Sequence, residues 1–547
     1  MDLSPKKTSS LEKGIACQPV VQDRDVGQGE VIEVGDGEYR RNFSYRQIHV
    51  ISLGGQIGAG LFISTGKNLS HGGPGGLLLG FLVVCSCVWA LHQTLGEMTI
   101  GFPVSGNFID FADRFVDPAF SFSAGFSMWL GWTSVIAAEA VFFTTIVNYW
   151  AEGSVPEAAW LTIFLVLLFV LFCLPNTAFG WFEYIAAILK FVALIIFLIT
   201  GLCLILGAGP SGHKADGKVW TTDLAFRNGF KGFGQSTLLA ILAIGDNTFT
   251  GFLAGETGNP RYSVAHAAFL IPIRVTAFYI TSVVFIGLLI SPTNSQLFGN
   301  KGVTASPFVI AIKQAGITGL PDFLNAIIVI AVASIAAESF FIASRILRSM
   351  AHQRLIPGIL ARVDAKGRPM PALLLTTAMT ILMTYINLSA GGTVVFDWLS
   401  QIASTGYFMV WFFIAVTSFR FRAALKAQND PLLSEAYAWK CALWPLPPIW
   451  LLICCCLFMA CSLYLALYPI GSNTVSAHYF FQYMFGTVLI LFCGIAYKAI
   501  LRTKLRDPKT ADLQTGRRPL STAEIVDLDE YEKLSRWRKL YSFIQVW

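Results

Sequence analysis

Twelve stretches of this chain are apolar over the roughly 20 residues that a helix needs to cross a bilayer, with polar or charged positions between them. They run over 48–68, 76–97, 120–147, 158–174, 182–207, 235–255, 267–290, 323–344, 371–388, 394–418, 448–468 and 479–500. The pattern predicts an all-α polytopic membrane protein with twelve transmembrane helices. Residues 1–47 are polar, without periodic apolar positions, which is the composition of a disordered tail and not of a signal peptide. The other flank, 502–547, closes on "EYEKLSRWRKLYSFIQVW". Its spaced aromatic and leucine positions fit a short amphipathic helix or, equally, a solvated tail.

Two spans break the helix rules. The first lies in "HVISLGGQIGAGLFISTGKNLSHGGPGG" (49–76), where Gly54, Gly55, Gly58 and Gly60 crowd the middle. The sixth reads "LLAILAIGDNTFTGFLAGETGNP" (238–260), with Gly245, Gly251 and Gly255 around a polar run. Glycine is the worst non-proline helix former, and unwound backbone is tolerated at membrane depth only where it is buried in protein or lines a cavity. Paired interruptions five spans apart are the mark of an inverted repeat with a site at the bilayer midplane. The N-terminus of a second half-helix would offer free N–H groups to a carboxylate. The competing reading is that Gly58 and Gly60 only let helices pack closely.

Composition narrows the class. Hydrophobic residues make up 54% and charged residues 13%, against about 25% charged in ordinary soluble chains, and mean hydropathy is +0.60. Charge that sparse leaves most of the outer surface to lipid. The formal net charge of +6 has no clustered basic domain behind it, so nucleic acid is not an expected partner. Most of the 11 cysteines sit inside apolar runs as small apolar residues, and the Cys454–Cys456 triplet has no His or acid beside it, so it reads as packing and not as a metal site. A phosphate-cradling GxxxxGK[ST] loop, Cys/His metal spacing, a repeated filter motif and an arginine-rich sensor helix are all absent from the sequence. No enzyme, cofactor, ATP-driven pump or channel is therefore expected. Among the scattered histidines only His92 lies well inside a span, where a hydrogen-bonded packing role is expected.

Lys and Arg give the orientation. The loop after span eight carries Arg345, Arg348, Arg354, Arg362, Lys366 and Arg368, and the one after span ten Arg420, Arg422, Lys426 and Lys440. The connections after spans three, nine and eleven carry neither residue type. Both termini are thus expected in the cytoplasm. The loop after span five, with Lys214, Lys218, Arg227 and Lys231, points the other way and is outvoted.

Several stretches share a source. "ISLGGQIGAGLF", "LGEM" at 95–98, "PVSGNF" with "ADRFVDPA" at 103–119, "GETGNPR" at 255–261 and "ASRILRSMAHQRLIPGILARVDAKGRPMPAL" at 343–373 closely resemble the fungal-type amino acid permeases of the amino acid–polyamine–organocation superfamily. The match runs from about Phe43 into the C-terminal tail. The resemblance implies a five-plus-five inverted repeat with discontinuous helices 1 and 6 and two additional helices. That divides the chain into an N-terminal tail (1–47), a transport core (48–418, repeats 48–207 and 235–418), two further helices (448–500) and a C-terminal tail (502–547). It also implies proton-driven uptake of an amino acid at the plasma membrane. On that pattern Gly58, Ala59 and Gly60 take the substrate carboxylate, and the break in span six meets its amino group and side chain.

Lys190 stands in span five, where a mid-membrane lysine costs roughly 2.5–3.5 kcal/mol on insertion scales. It either snorkels to the nearer interface or serves as a proton-coupling or cation-substituting group, and the resemblance favours the second. Glu139 in span three is either a functional acid or a neutral, hydrogen-bonded tie.

The sequence departs from the family inside the breaks. Where a Gly–Thr–Glu step is usual, this chain has Asp246, Asn247 and Thr248, and in span eight Ala337 and Glu338 replace small polar residues. Asp246 and Glu338 contact a cationic group of the substrate, pair with Lys190 or share protons to tune coupling, or face a hydrated vestibule and do little. An excess of negative charge favours zwitterionic or cationic amino acids over dicarboxylates. A symporter is the leading reading, with an amino acid sensor that binds without transporting as the alternative. Lys6, Lys7, Lys13 and neighbouring Ser/Thr make the tails candidate sites for ubiquitination and trafficking machinery.

Overall fold

A computed structural model describes residues 57–538 except 59, 105, 175, 211, 213, 246–247, 249–259, 298–305, 365–366, 389–391, 436, 473, 518–521 and 536. Of the chain's two units, residues 1–42 and 43–547, all described residues lie in the second, and the expected N-terminal tail lies outside them. They form helices joined by turns and by longer connections such as 206–228, which carries the 3-10 turns Lys218–Thr221 and Asp223–Phe226. A π-helical turn, Gly60–Ser64, leads into α1 (Thr65–Gly101), followed by α2 (Asn107–Phe115), α3 (Pro118–Ala151), α4 (Glu157–Cys173), α5 (Asn176–Ile205) and α6 (Gly229–Ile244). Then come α7 (Pro260–Leu289), α8 (Pro307–Gln314), α9 (Leu320–His352), α10 (Met370–Tyr385), α11 (Gly392–Ala427), α12 (Leu446–Leu467), α13 (Ala477–Leu501) and α14 (Thr522–Lys533).

Eight of these segments are long and apolar enough to cross a membrane, and α4, α6 and α10 are shorter apolar helices. The first of the eight, Gly60–Gly101, is two helical arms joined across a kink at Gly73–Pro74: Gly73 has φ 69° and ψ 173°, and a side chain there would strike the Leu224 and Ala225 carbonyls. The "HGGPGG" stretch is thus the joint between the two arms. Proline follows the kink because it needs no donor there.

Burial separates the helices into an inner and an outer set. The most apolar windows of α3 and α11 are 89% and 83% buried, while that of α13 is 22% buried. Phe485, Val488, Phe492 and Ile495 make an exposed apolar stripe at helical spacing on α13, and Val166, Leu167 and Val170 do the same on α4. Large apolar side chains facing outward on one side of a helix find their solvent in lipid. Inside, α3 packs against α9 and α11, and α1 against α6 and α7.

Several helices overrun their apolar stretches. Helix α9 continues to His352 and α11 to Ala427, so Arg345, Arg348, Arg420, Arg422 and Lys426 ride on helical extensions and not on loops. Hydropathy marks the bilayer edge, whereas i→i−4 hydrogen bonding continues past it. At the C-terminal end the described helix is α14, which precedes most of the expected amphipathic segment and is largely acidic; residues 539–547 lie outside the described set. The Asp529 carboxylate accepts the Tyr437 hydroxyl.

Candidate functional site

The described part of the first span opens with a bend at Ile57–Gly58 and a π-turn, while Gly54 and Gly55 lie outside the described residues. Leu61 N–H and Phe62 N–H both donate to the Gly58 carbonyl at 3.0 Å. The carbonyls that such a turn leaves over are taken by hydroxyls: Ser64 bonds Gly60, Thr65 bonds Leu61 at 2.5 Å, and Ser306 bonds Phe62 at 2.5 Å. Helix α6 stops at Gly245, with φ 70° and ψ −164°, a conformation in which only glycine is comfortable. The Tyr279 hydroxyl on α7 donates to the Ala243 carbonyl at 2.5 Å, satisfying one of the acceptors a helix end leaves open.

The two breaks touch. A methyl on Gly60 would fall on the Ala243 backbone, and one on Gly58 into the Ile335 side chain of α9. Close packing and helix interruption, the competing readings of these glycines, therefore coexist. Between the breaks lies a cavity of about 30 Å³ lined by Gly58, Gly60, Glu139, Gly245, Ile335 and Tyr407, among others. That is room for roughly one or two waters. Trp132 and Tyr407 meet edge to face across its wall at 5.5 Å.

Three groups of sequence-predicted residues fare differently. Gly58, Gly60 and Glu139 come together at this cavity, and the buried Glu139 Oε2 has no hydrogen-bond partner among the described residues. Lys190 is fully buried in α5, so it does not snorkel. Its ammonium donates to Ser334 Oγ on α9 at 3.0 Å, with Glu183, Glu338 and Glu139 in electrostatic range. Glu338 is buried on α9 and is not among the residues that line the cavity; Lys190 is its charged neighbour. Thr248 is buried just past the break, while Ala59, Asp246 and Asn247 lie outside the described residues. His92 bonds the Val88 carbonyl through Nδ1 at 2.9 Å, the packing role expected of it.

Sequence reasoning passed over two groups. Glu183 accepts the Ser334 hydroxyl at 2.7 Å and is fully buried. The available signal was its place seven residues, or two helical turns, before Lys190. Lys67, on the arm that follows the π-turn, pairs with Asp397 on α11 and lies 5.6 Å from the Phe396 ring. Neither residue stands out in the sequence, because the partners are 330 positions apart.

Several motif residues sit elsewhere. Glu97 of "LGEM" takes a forked bond from Arg422 at 2.6 and 2.5 Å and the Cys441 N–H at 2.6 Å. Asp113 and Asp117 of "ADRFVDPA" hold the end of α13 and the chain that follows it: Arg506 bonds Asp113 at 3.0 Å, and Lys498 and Thr503 bond Asp117 at 2.6 and 2.7 Å.

A bundle with apolar outer faces, a small cavity where the π-turn meets the end of α6 and buried charges behind it fits a multi-pass membrane transporter, and the family match makes it a transporter and not an enzyme. The chain belongs to the amino acid permease family, whose model matches residues 47–509. It is 33% identical over 512 residues to the amino-acid permease GAP3 of Candida albicans, covering 92% of this chain and 84% of that one. It is 30% identical over 542 residues to the general amino-acid permease GAP1 of Saccharomyces cerevisiae, covering 96% and 89%. Against cationic amino acid transporter 1 of Schizosaccharomyces pombe the identity is 30% over 512 residues, covering 92% and 86%.

Proposed function

We propose that the protein carries amino acids across the plasma membrane by proton-coupled, secondary active transport with alternating access. The observation that carries this reading is Lys190, an ammonium with no exposure, held among carboxylates behind the cavity where the two interrupted spans meet. A lysine stays in such a place only with compensation or a task, since a buried cation without partners is costly. In this reading Gly58, Ala59 and Gly60 receive the substrate carboxylate, and Asp246, Asn247, Thr248 and Glu139 surround its amino group and side chain. Glu338 belongs with Lys190 and tunes coupling. The architecture is twelve spans in a five-plus-five inverted repeat, with both termini in the cytoplasm and the tails open to trafficking and ubiquitination machinery.

The relatives' names include general and cationic permeases. This agrees with a site that prefers zwitterionic or cationic amino acids to dicarboxylates. A sensor that binds without carrying has no support among relatives named as permeases and transporters. The test is uptake of radiolabelled amino acids in a transport-deficient cell with and without a protonophore. Accumulation is expected to collapse with the protonophore and to fall about tenfold or more in Lys190→Met, which keeps the side-chain volume. Protonophore-insensitive uptake, or wild-type accumulation by a correctly sorted Lys190→Met, would refute the coupling.

A further inference from the structure

We propose that Ser334 and Glu183 form the proton-release relay of Lys190. The inference rests on the coupled-transport reading above and adds the path by which the proton leaves. The three polar groups lie in line across the α5–α9 contact: Lys190 Nζ to Ser334 Oγ at 3.0 Å, then Ser334 Oγ to Glu183 Oε2 at 2.7 Å. All three residues are 0% exposed. A hydroxyl between an ammonium and a carboxylate can pass a proton without moving a heavy atom, because it donates to one neighbour while accepting from the other.

The step balances. The Lys190 ammonium gives a proton to Ser334 Oγ as the Ser334 hydroxyl proton passes to Glu183 Oε2. A neutral amine, an intact hydroxyl and a carboxylic acid remain, with no other reactant. Release to water from Glu183 then restores the carboxylate. Its second oxygen, Oε1, is buried with no hydrogen-bond partner among the described residues, which leaves one position to face an entering water.

The geometry also gives the relay a direction. Glu183 is seven residues nearer the start of α5 than Lys190, about 10 Å along the axis. On the positive-inside orientation that end faces the cytoplasm. Glu139, by contrast, lines the cavity. The two hydrogen bonds therefore point from Lys190 towards the inner end of α5.

Ser334 adjoins Ile335, whose side chain packs against Gly58 in the cavity wall. A substrate seated at Gly58 would press on Ile335, the residue next to the relay serine. The charged groups around the relay are Glu183 on α5 itself, Glu338 on α9 and Glu139 on α3. Only Glu183 is joined to Lys190 through a hydroxyl in the described hydrogen bonds.

The experiment uses the full chain in proteoliposomes, with a radiolabelled mixture of the proteinogenic amino acids as probe. Two quantities are read: accumulation under an imposed pH gradient, and counterflow exchange at equal pH, which needs no net proton release. Glu183→Gln and Ser334→Ala are expected to lose about tenfold or more of the gradient-driven accumulation, with exchange kept within about twofold. Ser334→Thr, which keeps the hydroxyl, is expected to retain both. Wild-type accumulation by Glu183→Gln overturns the relay. Equal loss of both activities also overturns it, by making Glu183 a packing counter-ion. A wild-type protein that ignores the gradient overturns the coupled-transport reading and the relay with it.

Discussion

At the scale of single residues, two glycines at the breaks act for different reasons. A methyl at Gly60 would land on main-chain atoms of Ala243, which cannot rotate away. Gly60→Ala is therefore expected to cost about 1–3 kcal/mol in the thermal unfolding of the detergent-solubilised protein, as overpacking does, and to lower uptake. At Gly245 nothing lies within 4 Å of the added carbon, and the difficulty is the positive φ alone. Gly245→Ala should cost about 1–2 kcal/mol, from backbone strain. The presence of both glycines was legible from their position inside apolar runs. Their separate reasons were not, because close approach and dihedral angle are properties of the folded backbone.

At the scale of elements, the arm after the first break is tied to α11 by Lys67 and Asp397. The lysine side chain is 4% exposed and the aspartate 27%. Loss of one partner of a buried pair strands the other charge, although the aspartate's contact with solvent softens the penalty. Lys67→Ala is expected to destabilise by about 1–3 kcal/mol, and the exchanged pair Lys67→Asp with Asp397→Lys to recover part of it. A double-mutant cycle on the unfolding midpoint measures that coupling. Sequence reasoning found the element that carries Lys67 and the one that carries Asp397, yet not their meeting. An apolar run announces a helix, and the π-turn and the Gly73 bend that aim this arm at α11 follow from backbone packing.

At the scale of the whole molecule, the segment after α13 is a strap across one end of the bundle. Arg506 N–H donates to the Val116 carbonyl at 2.8 Å, Gln428 reaches the Pro508 and Ala511 carbonyls at 2.9 and 2.7 Å, and Arg517 binds Asp430 and Glu435. Leu513 is buried beneath it. Asp117, just ahead of α3, is the charged anchor. Burial raises its carboxyl, but bonds from Lys498, Thr503 and the Ala119 N–H outweigh that and hold it below the ordinary 3.8. A carboxylate lowered on folding stabilises the folded state above its unfolded value, and the contribution is lost as pH falls through the lowered one. The stability gap between wild type and Asp117→Asn should therefore be constant above about pH 5 and close in stronger acid, as read by thermal unfolding across pH.

The amino-acid sequence alone determined the environment and the weak points of this chain. Sparse charge and repeated apolar runs demand lipid outside, and glycines within two of those runs mark where a helix yields. Those are local properties, since each depends on residues within one span. Tertiary structure alone decided which charges meet. Lys190 reads as a costly residue in α5, but its partners come from α5 and α9, and Ser334 between them looks like any small helical residue. The motifs "LGEM" and "ADRFVDPA" are equally plain as strings, yet folding puts Glu97, Asp113 and Asp117 into ties at helix ends and not at the cavity. A hydrogen bond acts over about 3 Å in space and is blind to separation along the chain, so such pairings become visible only when the helices are packed.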